Sequence, residues 1–268
     1  MIESIAAILI AGGIGTVAAL IGMGGGFLYV PTLTLIFGAD PKMAVGTSLA
    51  VMIFSATAAT FVYRKQGKIL YRAAAILFIP SVIFSILGSY LTSFMDVRFI
   101  VAAFALVLIL ISCQMLFPTL RLVRKIPYGP HLAFSCREEG NGDGQVRIPV
   151  SHLIVWGAMG GLVSGITGTS GGAFFVPALV IIGVPVHFAV ATSLLTIIPT
   201  SIAGASTHAL LGHISLPLLA LYGAGASVGA YAGATIAPHI HADHIKRIFG
   251  VLLIIIALIM IQQKVLGM

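Results

Sequence analysis

The two halves of this chain repeat one glycine-containing pattern, and this duplication constrains the fold more than any other feature. The stretch Gly22–Pro31 returns as Gly168–Pro177, and Ala44–Leu49 returns as Ala189–Leu194. The offset is 146 residues for the first pair and 145 for the second. Nearly constant offsets of this kind indicate that one structural unit is built twice.

Composition places the duplicated unit in a membrane. Hydrophobic residues make up 59% of the 268 residues and charged residues only 8%, whereas soluble domains carry about a quarter charged residues. Apolar segments near or above the roughly 20 residues that cross a bilayer recur along the chain. They are Ile2–Ile21, Met43–Tyr63, Ala73–Ser93, Val97–Phe117, Ser151–Thr167, His187–Leu211, Leu216–Pro238 and Ile245–Gln262.

The sequence therefore predicts an all-α membrane protein, a polytopic bundle of two homologous repeats. The first repeat spans residues 1–117 with a broken or re-entrant segment at 22–39, and the second spans 150–268 with the corresponding segment at 168–184. Such an organisation is typical of secondary transporters. Residues 118–149 form a polar loop that we interpret as a tether, and its Asn141–Gly144 stretch indicates flexible chain.

The distribution of cations predicts the orientation of the chain. Lys and Arg residues cluster in the loop at 64–72 and again in the loop at 118–149, with two spans between them. By the positive-inside rule both loops are cytoplasmic. The net charge of +7 is thus explained by topology, and no nucleic-acid partner is expected. The N-terminal stretch carries Glu3 and no basic residue, so we do not expect a cleaved signal peptide.

The short segments that follow the glycines leave two topologies open. If each continues the preceding helix through a break, every half has four crossings and the repeats are parallel. If each turns back, the number of crossings per half is odd and the repeats are inverted. The cations of the first copy's loop at 64–68 are nearly absent from the second copy, which favours the inverted arrangement.

The glycine motifs predict a binding site for an anion. Gly24, Gly25 and Gly26 disfavour helix, and an unwound backbone inside a membrane is tolerated where it lines a cavity or is buried in protein. The helix that follows begins with free N–H groups and the positive end of its dipole. In the second copy we assign the same role to Ser170, Gly171 and Gly172.

Hydroxyl groups recur at a second position in both copies. Thr47 and Ser48 correspond to Thr192 and Ser193, and we expect each pair to begin a helix, where a hydroxyl either caps the helix or binds an oxyanion. His208 is the most plausible titratable group inside a span, and it is a candidate for anion binding or proton transfer.

The acidic residues and the cysteines narrow the function further. No acidic residue lies in the middle of a span, although a cation pathway usually contains one. Cys113 and Cys136 show neither a CxxC pattern nor metal-ligand spacing. We expect no cofactor and no bound metal. The expected partners are a small anionic substrate, the lipid bilayer and a coupling proton or other ion, and a homo-oligomer is compatible with the sequence.

The paired motifs resemble the TauE/SafE family of membrane transporters, also called sulfite exporters. Gly22–Pro31 with Ala44–Leu49, and their repeats, carry this resemblance over nearly the whole chain. It implies transport of small sulfur-containing anions, such as sulfite, sulfonates and sulfoacetate, across the bacterial inner membrane. The second motif departs from the first because Thr169 and Ser170 replace Met23 and Gly24.

Two other functions fit parts of the sequence. Gly168–Gly171 matches the GxSG pattern of rhomboid proteases, with Ser170 as nucleophile and His208 as base. Because the motif lies in a duplicated loop, we expect no catalysis. The second alternative is a metal or cation exporter that uses the histidine-containing loop His239–His244, which has no matching cluster in the other repeat.

Overall fold

The chain forms a bundle of helices in two similar sets. The computed structural model describes residues 2–116, 131–137, 143–169 and 171–239, with isolated positions 254, 258 and 262. The helices of the first half are α1 (Ile2–Ile21), α2 (Gly26–Leu35), α3 (Pro41–Lys65), α4 (Tyr71–Phe94) and α5 (Val97–Leu116). Those of the second half are α6 (Val150–Thr167), α7 (Gly172–Ile181), α8 (Val186–Leu210) and α9 (Leu216–Ile236), followed by a 3-10 turn at Ala237–His239.

Six of the described helices are long and apolar enough to cross a membrane. They are α1, α3, α4, α6, α8 and α9, and they confirm the spans predicted at those positions. Helix α5 coincides with a seventh predicted span, whereas the predicted span Ile245–Gln262 lies outside the continuously described residues. Helices α2 and α7 have 10 residues each, about half of what a full crossing requires.

Helix α4 shows how a span of this protein divides its two faces. Ser81, Ser85 and Ser89 are completely buried, whereas Ile79 and Ile83 are more than half exposed. The polar side chains therefore face other helices, and the exposed face is apolar. This is the reverse of a soluble amphipathic helix, and it suits a helix whose outer surface meets lipid.

The packing between helices follows the duplication. Helix α1 packs against α9, and α4 packs against α6; exchanging the halves converts one pair into the other. In the same way α3 against α9 corresponds to α8 against α4, and α3 and α8 also pack against each other. Contacts that map onto themselves when two units are exchanged are those of a twofold arrangement.

Glycines bring the paired helices into backbone contact. A Cβ atom at Gly225, Gly229 or Gly233 of α9 would collide with a carbonyl oxygen of α1, at Ile8, Gly12 and Thr16 respectively. On the other side of the bundle, side chains at glycines of α6 would collide with carbonyl oxygens of α4. These glycines are Gly157, Gly161 and Gly165. Small residues at such positions let two helix backbones approach closely inside a membrane.

Helices α3 and α8 are antiparallel. A Cβ atom at Gly46 would lie 2.9 Å from Cβ of His208, and one at Gly204 would lie 3.0 Å from Cδ1 of Leu49. Positions that advance along α3 therefore meet positions that recede along α8. Because each helix has 25 residues, the loops that follow them lie about 37 Å apart, at opposite ends of the bundle.

The prediction that the Thr-Ser pairs begin helices α3 and α8 is wrong. Helix α3 begins at Pro41, where the Asp40 carboxylate caps it by accepting the Lys42 N–H at 2.9 Å, and α8 begins at Val186 after Pro185. The Thr-Ser pairs lie about two turns inside these helices and cap neither of them. An acidic cap followed by proline at the first helical position was the signal that fixes the start of α3.

The polar loop between the halves contains a β-hairpin. Strands β1 (His131–Arg137) and β2 (Asp143–Pro149) pair antiparallel. The prediction that Asn141–Gly144 is flexible is therefore wrong for the last two residues of that stretch, which belong to β2, and the first two lie outside the described residues. Val146 and Ile148 alternate with polar neighbours, a pattern that favours a strand, and Ile148 is fully buried.

Candidate functional site

Each repeat contains a stretch of non-helical backbone at its glycine motif. Helix α1 ends at Ile21 and α2 begins at Gly26, and between them Gly22, Gly24 and Gly25 have φ angles of +78°, +71° and +92°. In the second half Gly168 has a φ of +68°, whereas Gly171 has a right-handed φ of −55°. Glycine alone adopts positive φ readily, so the first break depends on its glycines more than the second.

The two breaks touch each other in the interior of the protein. A Cβ atom at Gly26 would collide with the carbonyl oxygen of Gly168, and it would lie 3.0 Å from the Cα atom of Thr169. In the reciprocal contact, a Cβ atom at Gly172 would lie 2.6 Å from the carbonyl oxygen of Gly22. The predicted glycines of both motifs thus meet at one place, and a side chain at Gly26 or Gly172 would separate the halves.

The two predicted serines bind the breaks of the opposite repeat. The Ser48 hydroxyl donates to the carbonyl oxygen of Gly168 at 2.9 Å, and the Ser193 hydroxyl donates to that of Gly22 at 2.8 Å. Both serines are completely buried. The carbonyls lie at the ends of α6 and α1, where the helix supplies no further donor, so each serine satisfies a group that hydrocarbon would leave unpaired.

The two predicted threonines fasten the loops of the opposite repeat. The Oγ1 atom of Thr47 accepts the Ser215 N–H at 3.0 Å, and that of Thr192 accepts the Leu70 N–H at 3.1 Å. With the serine contacts, the Thr-Ser pairs make four reciprocal hydrogen bonds between the halves. Each of the four hydroxyls therefore already has a protein partner, and their role as substrate ligands stays a prediction.

Free hydrogen-bond donors remain at the first break. The N–H groups of Leu28 and Tyr29 both donate to the carbonyl oxygen of Gly25 at 2.9 Å. No residue in the described part of the chain accepts the N–H groups of Gly24, Gly25, Gly26 or Phe27. These amides are the unpaired donors that precede and open α2, and they lie at the positive end of its dipole.

A buried phenol adds a donor to the first break. A Cβ atom at Gly25 would lie 2.9 Å from Cζ of Tyr29, the ring atom that bears the hydroxyl. Tyr29 is completely buried, and its hydroxyl has no hydrogen-bond partner among the described residues. Ser55 is its polar neighbour, but the Ser55 hydroxyl lies 3.4 Å from the carbonyl oxygens of Gly24 and Met52 and donates there. This arrangement can offer an O–H and several N–H groups to one anion.

Sequence reasoning missed several residues around this break. The ring of Tyr222, from α9, meets that of Tyr29 edge-on with 6.1 Å between centroids, and its hydroxyl is also buried without a partner among the described residues. A Cβ atom at Gly26 would lie 3.0 Å from the sulfur of Met52. Ser55 had a sequence signal, since Thr200 carries a hydroxyl at the same position of the second repeat. Tyr222 had none.

The predicted histidine lies away from the glycine breaks. His208 is completely buried near the end of α8, with Nε2 at 3.2 Å from the Gly165 carbonyl oxygen and Nδ1 at 3.3 Å from Nδ1 of His213. Its counterpart Tyr63 makes the equivalent bond, from its hydroxyl to the Ala19 carbonyl oxygen at 3.1 Å. Both halves thus use this position to hold the end of a helix, and only the second half does so with an imidazole.

Some predicted groups lie outside the described residues. These are Ser170, proposed both as an anion ligand and as a nucleophile, and the loop residues His241, Asp243 and His244. Among the described residues no group of three His, Cys, Asp or Glu side chains could hold a metal ion. The described acidic side chains whose burial is known are exposed. They are Glu3, Asp40 and Asp96.

Comparison with known proteins gives consistent matches over almost the whole chain. The model of the family described as Sulfite exporter TauE/SafE matches residues 7–260. The Probable membrane transporter protein YunE of Bacillus subtilis (strain 168) is 33% identical over 263 residues, which cover 94% of each protein. A probable membrane transporter protein of Methanocaldococcus jannaschii is 28% identical over 262 residues, 92% of this chain and 91% of that protein. No solved structure matches the chain at a significant level.

Proposed function

We propose, from the premise that this chain belongs to the TauE/SafE family, that it moves small sulfur-containing anions across the bacterial inner membrane. The chain is a multi-pass membrane protein, and its relatives are described as probable membrane transporters. We propose that the substrates are sulfite, sulfonates and related organosulfur anions. We propose that the mechanism is alternating access, in which one repeat rocks against the other.

This mechanism uses inverted repeats. The antiparallel packing of α3 against α8 supports that topology. The two helices are counterparts in the duplication, and both are long enough to span a membrane. Counterpart spans that run in opposite directions require a twofold axis in the membrane plane. With the loop at 64–72 and the loop at 118–149 in the cytoplasm, the loop at 211–215 faces the other side.

The observation that carries the anion site is the set of unpaired donors at the first break. The amides of Gly24–Phe27 and the hydroxyl of Tyr29 lie together where the two repeats meet. A sulfonate or sulfite group has several acceptor oxygens that share its charge. Several fixed dipoles suit such a group, and they bind it without a buried cation that would need its own partner.

The positions of the described carboxylates also favour an anion as the substrate. The described acidic side chains whose burial is known lie at the surface, so none of them is positioned to repel an anion or to attract a cation. The exporter of metal cations that the histidine loop suggested would need its ligands from residues 240–244. The protease would need Ser170 beside His208, whose two ring nitrogens face the Gly165 carbonyl and His213.

Uptake into proteoliposomes tests the proposal. Labelled sulfite and methanesulfonate are compared with acetate and Zn²⁺, using wild type, Gly25→Leu and the matched variant Gly38→Leu. Gly38 also has a positive φ, of +63°, but nothing lies within 4 Å of its Cβ position. Its variant therefore reproduces the backbone strain without filling the break.

We expect saturable uptake of the two sulfur anions by wild type and by Gly38→Leu, and its loss in Gly25→Leu with an unchanged elution profile. Zn²⁺ movement without anion flux would overturn the proposal in favour of the cation exporter. Anion flux that survives Gly25→Leu would remove the site from the first break.

A further inference from the structure

We infer that a proton accompanies the anion, entering through the hydrogen-bonded pair His213–His208 and passing into a seam of buried hydroxyls between α4, α6 and α8. The inference rests on the proposed function, since it names the ion coupled to that transport. It concerns His213 and the seam, which the anion site does not use.

The hydrogen bonds of His208 assign the protons of the pair. A carbonyl oxygen only accepts, so Nε2 of neutral His208 carries the proton that faces Gly165, and its Nδ1 is an acceptor. The Nδ1 atom of His213, 3.3 Å away, must then be the donor. In neutral His213 the remaining nitrogen, Nε2, is free to accept a proton. The ring lies in the half-exposed loop after α8, within reach of water.

This arrangement passes a proton inward with no other reactant. A proton from water binds Nε2 of His213, and the Nδ1 proton of His213 moves to Nδ1 of His208. His213 is left neutral in its other tautomer, and exchange with water restores it: the ring releases the proton on Nε2 and takes one up on Nδ1. His208 is then an imidazolium that carries a proton on both nitrogens. It returns to neutrality by passing the Nε2 proton to the hydroxyl of Ser89, which lies against the same Gly165 carbonyl and gives its own proton onward into the seam.

The charged groups around the pair keep His213 suited to transient protonation. The side chains that act on His213 from the start of α3 are Lys42 and Asp40. Helix α6 presents the Gly165 carbonyl to His208, and the Ser89 hydroxyl of α4 donates to that same carbonyl. Burial of the ring, and then Lys42, lower the pKa of His213 below its ordinary value, and Asp40 opposes them in part. His213 is therefore mainly neutral at neutral pH, so it can take up a proton and give it away.

The seam begins beside His208. The hydroxyl of Ser89 donates to the same Gly165 carbonyl that His208 faces, at 3.5 Å. Deeper along α4, the hydroxyl of Ser85 donates to the Thr200 carbonyl at 3.1 Å, and that of Ser81 lies 2.9 Å from Oγ1 of Thr200. All of these side chains are completely buried, so hydroxyls succeed one another from His208 towards the middle of α8.

Among the described residues, the seam is present at one of two equivalent interfaces, that of α4 with α6 and α8, and is missing from that of α9 with α1 and α3. The counterparts of Ser81, Ser85 and Ser89 on α9 are Ala226, Ala230 and Ala234, although the helix packing there is equivalent. A buried hydroxyl costs stability unless it is bonded. A hydroxyl series confined to the interface that contains the histidine of α8 indicates a function other than packing.

Unused hydrogen-bonding capacity also accompanies the seam. The hydroxyls of Ser164 on α6 and Ser201 on α8 are buried without a partner among the described residues, and alanines replace them in the first half. One turn before His208, a Cβ atom at Gly204 would lie 2.8 Å from Oγ of Ser85 and 3.2 Å from Oγ of Ser89. The missing side chain leaves the two hydroxyls room to turn, as proton transfer along a chain of hydroxyls requires.

The pair opens at the end of the bundle opposite the basic loop at 64–72. In the orientation proposed above this is the outer face, so protons enter from outside. The inward proton gradient of a bacterial cell would then drive the transporter.

The test uses methanesulfonate, the anion of a strong acid, which carries no proton of its own. Proteoliposomes with wild type, His208→Gln, His213→Gln or His239→Gln are given an inward proton gradient, and accumulation is measured. Exchange of labelled for unlabelled methanesulfonate at equal pH is measured beside it. Glutamine keeps an N–H for the Gly165 carbonyl, and the control residue His239 is exposed at the end of α9.

We expect the two variants of the pair to lose gradient-driven accumulation by about tenfold or more, a modest loss for a positioned proton-transfer group. Exchange by His213→Gln should stay within about twofold of wild type, and His239→Gln should retain both activities. Accumulation that survives in His213→Gln would overturn the inference. If His208→Gln loses exchange as well as accumulation, the result for His213→Gln decides whether the pair carries the proton, because the loop that contains His213 has no predicted anion ligand. If wild type exchanges the anion but does not respond to the gradient, proton coupling is refuted and anion transport is not. If wild type shows no exchange, the proposed function is refuted.

Discussion

The reciprocal serine contacts lead to the most quantitative prediction. In Ser193→Ala the carbonyl oxygen of Gly22 loses its donor at 2.8 Å, and no water is at hand because Ser193 is completely buried. Leaving a buried acceptor unpaired costs about 1–3 kcal/mol. That corresponds to a shift of roughly 5- to 150-fold in the equilibrium between folded and unfolded protein. Ser48→Ala, which frees the Gly168 carbonyl, should cost a similar amount.

The free energy of unfolding in mixed detergent–SDS micelles measures this cost. The matched control is Ser227→Ala, because the Ser227 hydroxyl donates at 2.7 Å to the Gly223 carbonyl four residues earlier in the same helix. That carbonyl keeps its backbone partner, so the control should change stability by less than about 0.5 kcal/mol. If Ser193→Ala and Ser48→Ala are as stable as Ser227→Ala, the serines do not hold the two halves together.

Three further predictions follow from particular contacts. Gly229→Ala should destabilise the protein or disrupt its fold, because the new Cβ would collide with the Gly12 carbonyl. Gly13→Ala should be tolerated, because nothing lies within 4 Å of its Cβ position, and equal thermal stability of the two variants would contradict this reasoning. Tyr29→Phe keeps the ring beside Gly25 and removes the unpaired hydroxyl, so the KM for sulfite uptake should rise by about tenfold or more, and an unchanged KM would exclude the phenol from the site. Lys42→Gln removes a cation that lowers the pKa of His213, so the apparent pKa of gradient-driven uptake should move to higher pH. A pH profile that does not move would show that His213 takes no part in proton coupling.

The sequence predicted the elements of this fold well because duplication and hydropathy are both local patterns. The predicted span Met43–Tyr63 lies inside α3, and Leu216–Pro238 nearly coincides with α9 and the turn that follows it. The error at the Thr-Ser pairs arose because threonine and serine commonly cap helices, so the pairs were interpreted as helix starts. The actual start of α3 was encoded by Asp40 and Pro41.

The contacts that define the candidate site could not be predicted in the same way. Ser48 and Gly168 are 120 residues apart, and nothing in either segment specifies the other as its partner. The pairing of His208 with His213 depends on the turn after α8, and the approach of Tyr222 to Tyr29 depends on how α9 packs. A single sequence records which side chains are present, whereas these contacts arise only when the two halves assemble.

The most direct test of the anion site is a structure of the protein bound to selenite, which has the shape and charge of sulfite and contains an anomalously scattering atom. We expect a selenium peak at the first break, with the selenite oxygens about 3 Å from the amides of Gly25 and Gly26 and from the Tyr29 hydroxyl. Selenite must first be shown to inhibit sulfite transport by the same protein. If it does, a selenium peak found only outside the first break would contradict the proposed anion site.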